Sequence, residues 1–323
     1  MIKSNSECEK GLVSIIIPTH NRADLICETL ESIKRQSYKM IEVLVVDDHS
    51  EDNTKEIVKK FIQQHSELKV FLFDNDGKGA CAARNKGIRE SKGEYLQFFD
   101  DDDLMLENHI ERKVKEIEES DSDYVTCNYY FFDNTTKECI GHKNISSVDL
   151  NCSAFLLTKS FPCPCFMWSR KSINAMGEWN ENIKKLQDMV YYQRLFIKGL
   201  KGTRLPEELF EVRVHNNSMT SRNVATPQGY YNCYDAYSAI EEEWQNVYLR
   251  EKESVLKSLL FLKYTLARNM CKKGFIKQGA KLMFSILSHN FMNSISFLWI
   301  IAKYRTIHIT NALVKENSIK TLI

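Results

Sequence analysis

The sequence is short of the signals that most cheaply assign a function. None of its ten cysteines forms a CxxC pair or stands at metal-ligand spacing from histidine, which argues against a structural zinc site. Cys163-Pro164-Cys165 leaves one intervening residue, a geometry that strains a disulfide. The opening residues Met1 to Glu7 lack the apolar run of a signal peptide, so the expectation is a reducing cytoplasm with free thiols. Nowhere is there the run of about 20 mostly apolar residues that a spanning helix needs. Leu282 to Ala302 comes nearest, but Ser285, Ser288, His289, Asn290, Asn293, Ser294 and Ser296 interrupt it. A surplus of one charge is missing too: 44 basic against 43 acidic residues leave +1, so bulk charge suggests neither nucleic acid nor an acidic surface as partner. No G-x-G-x-x-G follows the first strand and no G-x-x-x-x-G-K-[ST] occurs, which counts against a Rossmann dehydrogenase and a P-loop nucleoside triphosphatase.

What is present is a regular alternation of strand and helix. Val13 to Ile17 is a β-branched run stopped by Pro18, and Leu25, Thr29, Leu30 and Ile33 follow at helical spacing. Ile41 to Val46 reads as a second strand, and Ile57, Val58, Phe61 and Ile62 as the buried face of a second helix. Lys69 to Phe73 and Gly93 to Phe99 are the third and fourth strands, separated by a helix over Ala80 to Glu90. Such alternation predicts a doubly wound, mostly parallel sheet, in which ligands bind beyond the carboxyl ends of the strands. Four polar clusters fall at that edge: Thr19 to Arg22, Asp47-Asp48, Lys78 to Arg84, and Asp100 to Asp103. Four carboxylates in a row demand a counter-charge. Hard divalent cations take oxygen ligands, whereas the blander reading is a solvated cap on the helix starting near Leu106.

Four blocks in this order and at these spacings resemble the inverting family 2 glycosyltransferases with the GT-A fold. They are Val13-Ser14-Ile15-Ile16-Ile17-Pro18-Thr19-His20-Asn21-Arg22, Glu42 to Ser50, Ala83-Arg84-Asn85-Lys86-Gly87-Ile88, and Gly93 to Asp103. The resemblance spans roughly residues 10 to 215. It implies a UDP-sugar bound at the sheet edge with Mn²⁺ or Mg²⁺. Carried over residue by residue, Pro18, Thr19, Asn21 and Arg22 match the loop bordering base and ribose, and Asp48 the carboxylate that accepts from the uracil edge. The other reading of Asp47 and Asp48 is a turn pair feeding the next helix, a role expected of one of the two. Lys78 or Arg84 would offset charge near the nucleotide, or face solvent. In the D-x-D pattern of Asp100-Asp101-Asp102, Asp102 matches the metal ligand and Asp101 lies against ribose or ion. Asp100 and Asp103 would orient loops or cap the helix. With aspartate at all four positions, a one-residue slip stays open.

Asp123 to Phe132 reads as a further strand, and residues from about Cys139 to Lys159 as loops and edge strands. Trp168 and Trp179 could stack on a sugar ring, although core packing is the ordinary role of such side chains. By the resemblance, Asp188 in Asn180 to Val190 is the general base that takes the acceptor hydroxyl's proton; helix capping is its other reading. Leu209 to Thr220 matches a segment in which a strand ends near the diphosphate. His215 would ligate the metal or donate to phosphate, Arg213 is a secondary candidate, and the loop from Asn216 to Thr226 would close over the donor.

The expected organisation is an α/β GT-A domain, a mostly parallel sheet flanked by helices, over residues 1–225. It divides into a nucleotide-binding half, 10–105, and an acceptor and catalytic half, 106–225, followed by a helical extension over 226–323. Phe291, Ile295, Leu298, Trp299 and Ala302, followed by Lys303 and Arg305, would rest on a membrane surface or pack on protein. The expected activity is transfer of a sugar from a UDP-sugar to a hydroxyl of a saccharide or lipid-linked saccharide, in cell-surface polysaccharide or glycolipid synthesis. It would occur in the cytoplasm or on the inner face of the membrane, without nucleic acid and in a possible homo-oligomer. The competing readings are a nucleotidyltransferase and a non-catalytic nucleotide-sugar-binding protein.

Overall fold

The computed structural model describes residues 8–145, 161–214 and 226–289, and the chain separates into two compact units between residues 222 and 223. In the first unit the strands are β1 (Glu9–Thr19), β2 (Ile41–Asp47), β3 (Lys69–Asp74), β4 (Gly93–Phe98), β5 (Leu104–Met105), β6 (Tyr124–Asp133), β7 (Cys139–Lys143), β8 (Phe166–Ser169) and β9 (Gly202–Val214). Its helices are α1 (Ile26–Lys34), α2 (Thr54–Gln64), α3 (Ala80–Glu90), α4 (His109–Ser120), α5 (Arg170–Met176) and α6 (Gln187–Ile197). They flank one sheet of order β3-β2-β1-β4-β8-β6-β9-β5, with β7 added along β6.

The half that carries the loop clusters, β3-β2-β1-β4, is parallel throughout. Val13, Ile15, Ile16 and Ile17 are fully buried, as a central strand covered by helices on both faces requires. Ile26, Leu30 and Ile33 of α1 lie at helical spacing on that core. Helix α3 comes closest: a Cβ on Gly87 would stand 2.3 Å from Ile16 Cγ2, so only glycine permits this approach. Beyond β4 the sheet becomes mixed, because β8 inserts antiparallel between β4 and β6, whereas β6 and β9 run parallel. Trp168 and Trp179 are buried among aromatic neighbours; the Trp179 and Tyr191 rings stack at 4.0 Å.

A buried polar network ties β4 to the turn that precedes β8. Lys113 Nζ donates to Pro164 O at 2.7 Å and to Gln97 Oε1 at 3.1 Å, and His109 Nε2 faces the same oxygen at 3.1 Å. Both bases are out of water, and burial pushes their pKa values down. The network fixes the short 3-10 turn Cys163–Cys165 beneath the edge where the clusters gather.

The second unit contributes α7 (Pro227–Gln245), α8 (Lys252–Lys272) and α9 (Ile276–His289). Tyr230, Leu260, Ala267, Met270, Leu282 and Ile286 share a core of their own, and Lys263 pairs with Glu241 at 2.6 Å. Among the described residues no helix is long and apolar enough to cross a membrane.

Candidate active site

The loops after β1, β2 and β3 are bonded into one shelf. Asn21, held at φ 52°, receives Glu51 N on its Oδ1 at 2.8 Å and donates its own amide to Ser50 Oγ at 2.9 Å. Asp48 N donates to Thr19 O at 2.7 Å, and His20 Nδ1 faces Asp48 O at 2.7 Å. The Asp48 carboxylate takes the Gly79 amide on both oxygens at 2.9 Å and Asn75 Nδ2 at 2.7 Å. It thereby fixes the turn that carries exposed Lys78 into α3. Asp47 is the turn residue of the pair: its Oδ2 accepts the Ser50 amide at 3.0 Å. Pro18 and Thr19 are buried where β1 meets this shelf.

The acidic run turns away at the end of β4, and its carboxylates are shared out among arginines. Arg22 Nε pairs with Asp101 Oδ1 at 3.1 Å, and Arg22 Nη2 reaches Asp102 Oδ2 at 3.4 Å. Arg84 Nη2 lies 3.4 Å from Asp100 Oδ1. Asp103 accepts the Arg213 amide at 3.0 Å, while Arg213 Nε donates to Asp102 O at 2.7 Å. None of the four caps α4, whose N-cap is Asn108. Arg213 itself is anchored by Glu28 at 3.0 Å and Asn134 at 2.5 Å, and it stacks over Phe132.

Three arginines do not neutralise this turn. Burial, and then the Asp102 charge, push Asp101 up to about 6 despite Arg22. Burial likewise pushes Asp100 up to about 7 against the pull of Arg84, and it holds Asp103 well above the ordinary carboxylate range.

Asp188 enters from the other half of the sheet, in the first turn of α6. The N-cap there is Leu186, held at φ 57° and ψ 32°, so Asp188 is not the cap. Its Oδ1 accepts the Cys163 thiol at 3.0 Å, and the Tyr192 hydroxyl one helical turn on faces the same sulfur. The buried Arg84 guanidinium spans the two halves: Nη1 donates to Gln187 Oε1 at 3.3 Å, Nη2 faces Asp100, and the group lies 4.7 Å above the Trp179 ring. The carboxylates at the end of β4 and at the start of α6 therefore border one shared cation.

The expected residues thus fall into two connected groups, Pro18, Thr19, Asn21, Arg22 and Asp48 on the shelf with Asp101 and Asp102, and Arg84 with Asp100 and Asp188. Lys78 borders the shelf without a charged partner in hydrogen-bonding range among the described residues. His215 and nearly all of the expected closing loop lie outside the described residues. Sequence reading missed the contact of Cys163 to Asp188 and that of Gln187 to Arg84, since both cross between elements.

Among the described residues no three His, Cys, Asp or Glu side chains are set to hold a metal by themselves. A hard cation that arrives with phosphate oxygens asks less, commonly one or two carboxylates. Asp101 and Asp102, adjacent oxygen donors in the acidic turn and both within reach of Arg22, fit that requirement.

Residues 14–177 match the family described as Glycosyl transferase family 2. The glycosyltransferase GlyG of Streptococcus pneumoniae serotype 4 is 40% identical over 122 residues, 38% of this chain and 40% of that protein. The GalNAc(5)-diNAcBac-PP-undecaprenol beta-1,3-glucosyltransferase of Campylobacter jejuni subsp. jejuni serotype O:2 is 29% identical over 170 residues, 52% of this chain and 55% of that one. The chain thus spans well under two thirds of either relative. Among solved structures, S. aureus TarS 1-349 in complex with UDP-GlcNAc superposes with a TM-score of 0.63 at 22% identity, covering 77% of this chain and 71% of that one. The shared fold is GT-A.

Proposed function

Because this chain belongs to glycosyl transferase family 2, we propose that it is an inverting, metal-dependent enzyme that moves a sugar from a UDP-sugar to a hydroxyl of a saccharide acceptor. The observation that carries the reading is Arg84, one buried guanidinium facing Asp100 on one side and Gln187, the neighbour of Asp188, on the other. An in-line displacement at an anomeric carbon needs a leaving group stabilised on one face and a base on the opposite face. Charge at the end of β4 and a carboxylate at the start of α6 supply both.

In this reading Pro18, Thr19 and Asn21 border the nucleoside, and Asp48 accepts from the uracil edge with the lone pairs its Gly79 and Asn75 bonds leave. Arg22, Lys78 and Arg84 offset the diphosphate. Asp101 and Asp102, with His215, would hold Mn²⁺ or Mg²⁺, which when bound supplies Lewis-acid stabilisation of the departing diphosphate. Asp188 takes the acceptor proton while Cys163 and the start of α6 hold its carboxylate in line.

The UDP-GlcNAc bound in TarS and the undecaprenol-linked acceptor named for the Campylobacter enzyme support a UDP-sugar donor and a lipid-linked acceptor. Synthesis of cell-surface polysaccharide or glycolipid on the cytoplasmic face of the membrane follows from that pair. Peripheral membrane contact through the C-terminal helices is part of the proposal, and exposed Ile276 and Phe284 of α9 favour it. The test is a panel of UDP-sugars with Mn²⁺ and a lipid-linked saccharide, read as UDP release and as the anomeric configuration of the product. One donor yielding UDP and an inverted linkage is expected. Turnover persisting in both Asp102→Ala and Asp188→Asn, or pyrophosphate as the product, overturns the mechanism.

A further inference from the structure

Where β7 and β9 flank the end of β6, three side chains stand in the order nucleophile, base and orienting acid. Cys139 Sγ lies 3.5 Å from His142 Nε2, and His142 Nδ1 lies 2.7 Å from Glu208 Oε1. Residues three apart on a regular strand point to opposite faces. Here Phe131 pairs with Gly141 but Phe132 with Cys139, so Ile140 is an extra residue in the ladder. That bulge turns Cys139 onto the face of His142. The three line a groove of about 310 Å³ with Tyr130, Phe132 and Lys137.

A carboxylate only accepts hydrogen bonds, so Glu208 fixes the imidazole proton on Nδ1 and leaves the Nε2 lone pair facing the thiol. Nucleophiles are activated by this sequence of contacts. Cys139 and His142 are both exposed, which leaves the sulfur open to attack a reagent in solution.

We propose that Cys139 is a thiol–disulfide exchange site, activated by His142 and Glu208, that accepts small disulfides in the groove above Phe132. His142 Nε2 takes the thiol proton, and Sγ attacks one sulfur of the disulfide. The S–S bond breaks, and the departing sulfur leaves with the electron pair and is protonated. One mixed disulfide and one free thiol form, with no further oxidant needed. The site is independent of Asp102 and Asp188, so its failure would leave the glycosyl transfer reading untouched.

Cys27, exposed on α1, serves as the reference thiol in the same molecule. The native protein is treated with hydroxyethyl disulfide, whose neutrality keeps the charges of the groove from biasing the comparison. Samples are quenched with acid at intervals and the modified peptides quantified by mass spectrometry. Cys139 is expected to react about ten-fold faster than Cys27 or more, and both His142→Gln and Glu208→Gln to bring it close to the Cys27 rate. Equal rates at Cys139 and Cys27 in the parent, or an undiminished Cys139 rate in His142→Gln, overturn the proposal. His142 is exposed on β7 and Glu208 is half-buried on β9, and continued protection of the buried thiols Cys81 and Cys127 in each variant reports that its fold is intact.

Discussion

Cys163 donates its thiol proton to Asp188 Oδ1 across 3.0 Å, and it does so from a turn fixed by a different element, α4, through Lys113 and the Pro164 carbonyl. The proposed base is thus aimed by a buried side chain that itself has no reason to touch substrate. A hydrogen bond to a charged group contributes roughly 1.5–3 kcal/mol, with a thiol at the weak end. Cys163→Ala should lower kcat about ten-fold while KM for the donor stays near the parent value, and Cys163→Ser, which keeps a donor, should recover most of the loss. Steady-state kinetics on the two variants check this. A Cys163→Ala enzyme with parental kcat would reduce the thiol to filler.

Asp188→Asn keeps the shape of the first turn of α6 and removes the proton acceptor. General-base catalysis is commonly worth about 10²–10⁴ in rate, so kcat should fall by that order while UDP still binds. Calorimetric titration with UDP alongside turnover separates the two effects; loss of UDP binding would move Asp188 from base to binding residue.

Asp102→Ala should act on the opposite step. In the parent, UDP with Mn²⁺ should raise the melting temperature by more than UDP alone, since a ligand that binds only the folded state stabilises by mass action. The variant should lose that Mn²⁺ increment and keep the shift with UDP alone. An unchanged increment would transfer the ligand role to a neighbouring aspartate, the one-residue slip that four consecutive aspartates allow.

His109 makes stability depend on pH. Burial, and after it the Lys113 charge, hold its pKa well below the ordinary histidine value in the folded chain. The unfolded chain takes up a proton near pH 6.5 and the folded chain does not, so the unfolded state binds more protons below that point. This contribution to stability is complete above about pH 6.5 and is lost as pH falls through it. Urea unfolding at pH 7.5 and 5.5 should show the parent losing about 1 kcal/mol or more to this group, and His109→Gln a flatter dependence.

Gly87→Ala tests the contact between α3 and β1. The added methyl would meet Ile16 at 2.3 Å, and overpacking of this kind costs about 1–3 kcal/mol. A lower urea midpoint with unchanged KM is the expected result.

Much of the parallel half was legible because its residues answer to local rules. Apart from Ser14 and Glu42, which are buried and bonded to each other, Val13 to Ile17 and Ile41 to Val46 are apolar on both faces, as a covered strand is, and the helix expected over Ala80 to Glu90 has those bounds. The second half obeys longer-range rules. Nothing near Phe166 to Ser169 announces that this short strand wedges antiparallel between β4 and β6. Leu186 in a left-handed conformation is invisible in a pattern of apolar spacing, yet it sets where α6 begins and where Asp188 sits. Asp48 was legible as a shelf residue, but its hold on the Gly79 amide was not, because a glycine loop and a carboxylate thirty-one residues apart share no local signature. The pairing of Arg22 with two carboxylates about eighty residues away is hidden for the same reason.

The anchoring of Arg213 has a consequence for the order in which the protein becomes competent. A chain leaves the ribosome N-terminal end first, and β1 to β4 can pair as soon as they emerge. The acidic turn at the end of β4 gains its clasp to Asp102 and Asp103 only when residue 213 has been made. A nascent chain arrested before that point would carry the shelf of loops without a finished acidic turn, and the protein would ripen from one edge of its sheet to the other.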